Sequence, residues 1–288
     1  MENFTIPLVF LVLFSPFIFW EYRRVKNAER TYPVKEVWAS VRMYLGRLLS
    51  NSIYKPITFA AALGVYQFRI HEFSMNHWTH FVMLFLGVEL SYYWYHRLNH
   101  EVRFMWAAHN THHSPNDMVA PVAMRLSWFD FFSFAWLCYM PLALVGFHPG
   151  YIFGTLALVL ALQFPIHTKE IPLLPRWIEL CFNTPANHRV HHGSNEIYLD
   201  KNHGGILMLW DHVFGTYKME DPAHPVRFGL VKPIYSNKAV EIETHEWKML
   251  WKDIKGSRSI RNTLGYIFGP PGWQPEAVKG SQRELHQI

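Results

Sequence analysis

The sequence contains, at residues 96–113, the stretch HRLNHEVRFMWAAHNTHH, which directly follows an apolar run and holds five histidines. The histidines form two clusters, H-x3-H at 96–100 and H-x2-H-H at 109–113. Side chains three or four residues apart lie on one face of an α-helix, so each cluster can direct its rings toward one point. Because neutral imidazole is a common ligand of transition metals, the stretch predicts helices that hold metal through histidine.

A second H-x2-H-H cluster lies downstream in HRVHH, residues 188–192, and one isolated histidine ends an apolar run in IHTKE. With 18 histidines in 288 residues, about 0.07 copies of H-x2-H-H are expected by chance. Spacing alone leaves the isolated His167 open between a ligand and an interfacial residue. The predicted ligands are His96, His100, His109, His112, His113, His188, His191 and His192.

Eight or nine histidines exceed the three or four protein ligands of one zinc site, so we expect two metal ions. Spacing does not choose among zinc, copper, iron and nickel. Metal-bound histidines usually donate their second ring nitrogen to an outer acceptor. The acidic residues nearest to the clusters in sequence are Glu101, Asp117, Asp200 and Asp211, and we predict them as these acceptors.

The composition excludes several classes of protein. Half of the residues are hydrophobic and 17% are charged, which excludes a disordered chain. Two cysteines, Cys138 and Cys181, exclude a disulfide framework and cysteine-based zinc or iron–sulfur sites. The net charge is +5, but Lys and Arg lie mostly beside apolar runs, so we expect a membrane partner and no nucleic acid.

Five apolar stretches, at 7–20, 53–68, 78–95, 128–147 and 151–166, predict membrane helices. The tight turn His148-Pro149-Gly150 makes the last two a helical hairpin. Residues 21–55 hold eight Lys and Arg, which predicts a cytoplasmic location for this segment and for all the histidine clusters.

The predicted fold is therefore all-α. It is a multi-pass membrane bundle of four or five membrane helices, with a cytosolic helical cap that carries a histidine-rich dimetal site. Residues 1–220 form the membrane-embedded domain, and residues 221–288 form a cytosolic C-terminal tail. The sequence does not distinguish the bacterial inner membrane from the endoplasmic reticulum.

With these motifs in order, the chain resembles the fatty acid hydroxylase/sterol desaturase superfamily, and within it the alkylglycerol monooxygenase branch. The resemblance covers about residues 80–220. It is carried by HRLNHEVRFMWAAHNTHHS (96–114), IHTKEI (166–171), NTPANHRVHHG (183–193) and DKNHGGILMLWDHVFGTY (200–217).

The resemblance implies a non-haem di-iron centre that uses O2 to oxidise a C–H bond of an ether lipid, a fatty acyl chain or a sterol-like lipid. Electrons come from a tetrahydropterin or from an external reductase or electron carrier. The resemblance also makes His167 a ninth ligand, and it makes Glu101 a candidate catalytic, pterin-related residue. Two positions depart from the branch, because Asn187 stands where another histidine is expected and His203 where tyrosine is usual.

Three functions are compatible with these motifs. The leading one is a lipid monooxygenase that hydroxylates its substrate. The first alternative is a lipid or sterol desaturase that uses the same di-iron site, since the two outcomes depend on fine substrate placement. The second is a membrane metal-binding or carrier protein. Carriers place ligands within the spans, whereas these clusters are predicted at the cytosolic helix ends.

Overall fold

A computed structural model of the chain describes the backbone of residues 2–275 and the side chains of residues 12–275. Within this range the regular structure is helical and no strand forms, which confirms the all-α class. The α-helices are α1 (Glu2–Asn27), α2 (Val34–Tyr66), α3 (Trp78–Glu101), α4 (Arg103–His113), α5 (Met140–Val145), α6 (Pro149–Gln163), α7 (Arg176–Cys181), α8 (Pro185–His191), α9 (Leu209–Phe214), α10 (Ala239–Gly256) and α11 (Ile260–Phe268). Short 3-10 helices span Ala120–Met124, Asp130–Ser133, Ala135–Tyr139, Phe164–Ile166 and Glu196–Tyr198.

The apolar core lies where α2, α3, α5 and α6 meet. Tyr66, Leu84, Val88, Ile152 and Val159 are buried together there. The predicted tight turn is present between α5 and α6, and it depends on Gly146. This glycine has φ +129°, and a Cβ at its position would lie 2.0 Å from the carbonyl oxygen of His71. Only glycine fits this close approach of two backbone segments.

A break between α3 and α4 separates the first two histidine clusters. Val102 adopts an extended conformation, φ −114° and ψ +114°, and its N–H donates to the carbonyl of Leu98. The chain changes direction at this residue and starts a second helix at once. The clusters at 96–100 and 109–113 therefore lie on two helices that pack against each other.

The two C-terminal helices pack beside this region. Leu250 on α10 and Tyr266 on α11 are buried against Ala107 of α4. Ile242, also on α10, is buried against Ala39 and Met43 of α2. These contacts join residues 239–268 to the histidine-bearing helices, while the predicted domain boundary near residue 220 stays a prediction.

Among the described residues, one helical segment, Pro149–Ile166, is long and apolar enough to cross a membrane by length and composition. The predicted span at 128–147 is wrong as a single helix. Phe134 has a left-handed conformation, φ +58°, and separates two 3-10 helices that precede α5. Asp130 lies within this run and is bound by Arg47 at 2.7 Å and by Tyr95 at 3.0 Å. Long-range polar contacts thus replace a continuous apolar helix.

Candidate metal centre

The nine predicted ligands come together at the ends of three helices and one turn. α3 carries His96 and His100 in its last turns, and His167 follows the 3-10 helix Phe164–Ile166. α4 carries the first H-x2-H-H cluster, and α8 together with its C-cap residue His192 carries the second. The structure divides the nine into a five-histidine group (His96, His100, His109, His113 and His191) and a four-histidine group (His112, His167, His188 and His192). Within each group the ligand nitrogens all lie within 4.8 Å of one another.

Each H-x2-H-H motif supplies both groups. On α4 the residues four apart, His109 and His113, join the five-histidine group, while His112 turns to the other. At α8 the distribution is reversed, since His188 and His192 join the four-histidine group and the intervening histidine joins the other. The expectation that each cluster aims at one point is therefore wrong for these two motifs. Their spacing is suited to two adjacent metal positions.

Within both groups the Nε2 atoms converge. In the five-histidine group the Nε2–Nε2 distances are 3.1 Å for His96–His109, 3.2 Å for His109–His113 and 3.1 Å for His113–His191. In the four-histidine group they are 3.3 Å for His112–His167, 2.8 Å for His167–His188 and 3.1 Å for His188–His192. Two nitrogens bound to one ion at about 2.1 Å would lie about 3 Å apart, so this spacing fits a shared ion.

The pair His112 and His167 shows that these contacts are not ordinary hydrogen bonds. The Nδ1 atom of His112 lies 3.3 Å from the carbonyl oxygen of Arg125, and that of His167 lies 2.8 Å from the carbonyl oxygen of Gln163. A carbonyl only accepts, so each Nδ1 carries the hydrogen, and in a neutral ring Nε2 is then a lone pair. Two lone pairs facing each other at 3.3 Å repel, unless a cation lies between them.

Burial keeps these rings neutral. It lowers the pKa of His96 to about 3, with a further contribution from His100, and it lowers the pKa of His167 to about 4. Burial, reinforced by the neighbouring imidazoles, also lowers the pKa well below its ordinary value for His109, His112, His113, His188, His191 and His192. Neutral imidazole is the form that binds a metal ion.

The outer acceptors are backbone carbonyls, so the prediction of acidic side chains in this role is wrong for four ligands. Besides the two carbonyls above, His203 and Lys201 each place a carbonyl oxygen 3.0 Å from the Nδ1 atoms of His96 and His191, respectively. Asp200 alone comes near a ligand, with its carboxylate 3.5 Å from Nδ1 of His100. Tertiary folding brings these carbonyls into place, and residue type does not reveal them.

Two buried carboxylates hold the loop that carries two of these carbonyls. Asp211 accepts hydrogen bonds from the backbone N–H groups of His203 and Gly204, both at 2.7 Å, and from the hydroxyl of Thr216 at 2.6 Å. Glu89 of α3 accepts from the N–H groups of Ile206 and Leu207. Glu89 is not among the residues that the sequence motifs indicate. A single carboxylate inside an apolar run was the signal that could have found it.

Arg125 is a further residue that the sequence analysis missed. Its guanidinium is buried and bonded to Glu36 at 2.5 Å and to the hydroxyls of Ser40 and Ser114. Because the carbonyl of the same residue faces His112, this ion pair fixes an acceptor of the four-histidine group to α2.

Glu101 lies outside both groups. Its carboxylate pairs with Arg97 at 2.8 Å, and its side chain is 43% exposed. Arg97 in turn donates to the hydroxyl of Tyr93. A half-exposed ion pair next to a metal ligand is accessible to a molecule from solvent, and the pterin-related role of Glu101 stays a prediction.

The two positions that depart from the family pattern differ in their contacts. His203 is fully buried, its ring lies 5.1 Å from that of His100, and neither of its ring nitrogens has a hydrogen-bond partner among the described residues. Asn187 donates through its amide to the carbonyls of Glu179 and Phe182 and so joins α7 to α8. Neither residue belongs to the five-histidine group or to the four-histidine group.

The segment that holds the grouped histidines matches a known protein family. The profile of the fatty acid hydroxylase family matches residues 81–216. Alkylglycerol monooxygenase of Homo sapiens is 40% identical over 213 residues, and that of Xenopus tropicalis is 38% identical over 213 residues. Each match covers 73% of this chain and 46% of the relative. Ornithine lipid hydroxylase OlsE of Rhizobium tropici is 28% identical over 157 residues, 54% of this chain and 46% of that protein.

The chain thus spans less than half the length of these relatives. No solved structure matches it. The matched residues 81–216 contain all nine grouped histidines, so the likeness and the geometry concern the same part of the chain. Residues 81–216 match the fatty acid hydroxylase family, and the resemblance of the chain to the alkylglycerol monooxygenases is confirmed.

Proposed function

We propose that this protein is an O2-dependent monooxygenase that hydroxylates a C–H bond of a membrane lipid at a centre of two iron ions. The observation that carries the proposal is the pair of Nε2 lone pairs of His112 and His167, which face each other at 3.3 Å within one of two converging histidine groups. The names of the relatives, alkylglycerol monooxygenase and ornithine lipid hydroxylase, support lipid hydroxylation.

The nine grouped histidines would hold the ions, one in each group. Iron bound there supplies the activation of O2 that an unactivated C–H bond requires. Burial lowers the pKa of eight of the nine ligands, and backbone carbonyls orient at least four of them. Eight of the nine side chains are buried from water, and His109 is partly exposed. Exclusion of water limits side reactions of an oxidising centre.

The substrate reaches this site from the bilayer in our proposal. The chain crosses the membrane several times, its N-terminus lies outside, and the metal centre lies at the cytoplasmic side. Residues 1–220 form the catalytic domain, and the segment from 221 to 288 is cytosolic. The apolar segment Pro149–Ile166 supports this arrangement, because it ends one residue before the ligand His167.

Electrons enter from the exposed side of the centre, where Glu101 follows the ligand His100 directly. We propose that a tetrahydropterin, or an external reductase, binds beside the Arg97–Glu101 pair. The 43% exposure of the Glu101 side chain and the position of the pair at the end of α3 support this location.

The test is elemental analysis of the detergent-purified protein, followed by turnover with isotopically labelled O2. We expect two irons per chain, oxidation of the reduced centre by O2, and one labelled oxygen atom in a product from ether lipids, fatty acyl lipids or sterols. A product with a new double bond and no label would instead assign a desaturase. Two zincs per chain and no response to O2 after reconstitution with iron would overturn the redox function and favour a metal carrier.

A further inference from the structure

The apolar stripe of α11 faces outward. Ile260, Leu264 and Phe268 recur every four residues and are 81%, 48% and 63% exposed. The opposite side of the helix is the packed one, where Tyr266 is buried and stacks edge-on against Trp273. A soluble helix normally turns its apolar stripe to the core. The described residues of the chain leave the apolar stripe of this helix exposed.

Exposed basic residues lie on α10, in the turn that joins α10 to α11, and at the start of α11. The outward side of α10 carries Trp251, which is 58% exposed, with the ammonium of Lys255 5.2 Å from its ring centre. The exposed basic residues of this region are Lys248, Lys252, Lys255, Arg258 and Arg261. In the described part of the chain, none of these five lies within ion-pair distance of a carboxylate. The nearby acids are already paired, Asp253 with Arg103 and Glu241 with Lys238.

We propose that this surface binds the interfacial layer of a membrane that contains anionic lipids. This surface, the cap face, is formed by the exposed residues of α10, of the following turn and of α11: Lys248, Trp251, Lys252, Lys255, Arg258, Ile260, Arg261, Leu264 and Phe268. The inference rests on the membrane location in the proposed function. Helices that lie in the interface combine Trp, Phe and Leu on the buried side with Lys and Arg at the headgroups, and the cap face has both.

The positive charge of the cap face favours a membrane with anionic lipids as its partner. The cytoplasmic leaflet is negatively charged and attracts basic segments, at about 1 kcal/mol for each Lys or Arg near the surface. α10 also packs on α2 through a contact of Ile242 with Met43. Met43 precedes the apolar half of α2 in the sequence. A cap held to a membrane helix at this point can rest on the membrane surface. It would then fix α4, which bears three of the histidines, against the bilayer from which the lipid enters.

The experiment places a nitroxide label at Leu264→Cys in the full chain, with Cys138→Ser and Cys181→Ser, in lipid nanodiscs. Collision rates with O2, which concentrates in lipid, and with a water-soluble nickel chelate then report depth. We expect the O2-to-nickel ratio at 264 to be several-fold higher than at an exposed control, Ala223→Cys. The ratio should rise further in discs that contain phosphatidylglycerol than in phosphatidylcholine alone. The combined change of Lys248, Lys252 and Lys255 to Gln should remove that rise.

A second label at Ile260→Cys, one turn earlier on the same stripe, repeats the measurement if Leu264→Cys disturbs folding. A label at Ile57→Cys, in the apolar half of α2, reports whether the chain is inserted at all. Lipid-like values at 57 with water-like values at 260 and 264 overturn the cap-face proposal and leave the face to a protein partner. Water-like values at all three positions overturn the membrane location in the proposed function as well.

Discussion

The two histidine groups differ in what holds their ligands. In the five-histidine group, His96 and His191 are oriented by carbonyls of residues 203 and 201, which belong to a loop without regular structure. In the four-histidine group, His167 is oriented by the carbonyl of Gln163, the last residue of α6, and His112 by that of Arg125. The first group depends on a loop, and the second depends on a helix end and a buried ion pair.

The groups also differ in ligand number, and the two differences act in opposite directions. After the loss of one ligand the five-histidine group still has four histidines, as many as the other group has in full, so we expect it to keep its metal. The four-histidine group has no spare ligand but has the firmer outer contacts. We therefore expect loss of a ligand to affect the four-histidine group more, and loss of an outer contact to affect the five-histidine group more.

The largest expected effect comes from two histidines of one motif that belong to different groups. His188→Ala leaves three ligands in its group, and metal content should fall from two ions per chain toward one. His191→Ala leaves four, and metal content should stay close to two, with weaker binding in the affected group. Elemental analysis after equal exposure to a chelator measures this. His188→Ala should lose more activity than the roughly 100-fold that outer contacts typically contribute, because the proposed reaction requires both ions.

The pair serves as its own control, since both side chains are buried imidazoles of the same motif and the same helix region. Greater loss of metal from His191→Ala than from His188→Ala would reverse the order of the groups. Equal loss of both ions from either variant would mean that the two groups bind metal as one unit.

The next effect concerns the loop of the five-histidine group. Asp211→Asn keeps the shape of the side chain but can turn an amide N–H toward the N–H of His203 or Gly204, which now donate to the carboxylate. The loop should loosen, and with it the carbonyls of residues 201 and 203. We expect about 10- to 100-fold weaker metal affinity in the five-histidine group. Titration with cobalt, followed by its visible absorption, should show one of two binding phases shifted.

A suitable control is Glu243→Gln, another fully buried carboxylate, which has no hydrogen bond to residues 201–204. This variant should leave both binding phases in place. A shift of both phases in Asp211→Asn would contradict a role confined to one group.

Much of the site follows from the sequence, because ligand spacing is a local property. H-x3-H and H-x2-H-H name eight of the nine grouped histidines, and the family resemblance adds His167. The assignment of His112 and His191 to opposite groups from their motif neighbours was not predictable. It depends on which faces of α4 and α8 meet, and this is settled by packing between residues far apart in sequence.

The fold was predictable to a similar degree. An all-α chain follows from the apolar runs, and the break at Phe134 does not. The apolar character of residues 128–147 suggests one helix, but Arg47 of α2 and Tyr95 of α3 bind Asp130 near the start of that run. The carbonyl acceptors could not be predicted either, because every residue has a carbonyl and only tertiary structure brings one to a ring nitrogen.

The smallest expected effect concerns Glu243 of α10, which supports the segment after Arg125. The carboxylate accepts hydrogen bonds from the hydroxyl of Ser127 at 2.5 Å and the N–H of Trp128 at 3.1 Å. Burial raises the pKa of Glu243 from 4.5 to about 7, although these hydrogen bonds and the charge of Arg47 lower it. The folded state therefore favours the protonated carboxyl.

A raised pKa of this kind gives stability that is fully present below about pH 4.5 and is lost as the pH rises through about 7. The contribution is about 3 kcal/mol at most, since each pKa unit corresponds to about 1.4 kcal/mol. Glu243→Gln has no such proton to lose. Its Tm relative to the unchanged protein should therefore rise between pH 5 and pH 8, as measured in one detergent at several pH values. A Tm difference that does not change with pH would mean that Glu243 is ionised throughout this range. The outer contacts of the four-histidine group would then depend on Arg125 and α6 without a contribution from a protonated Glu243.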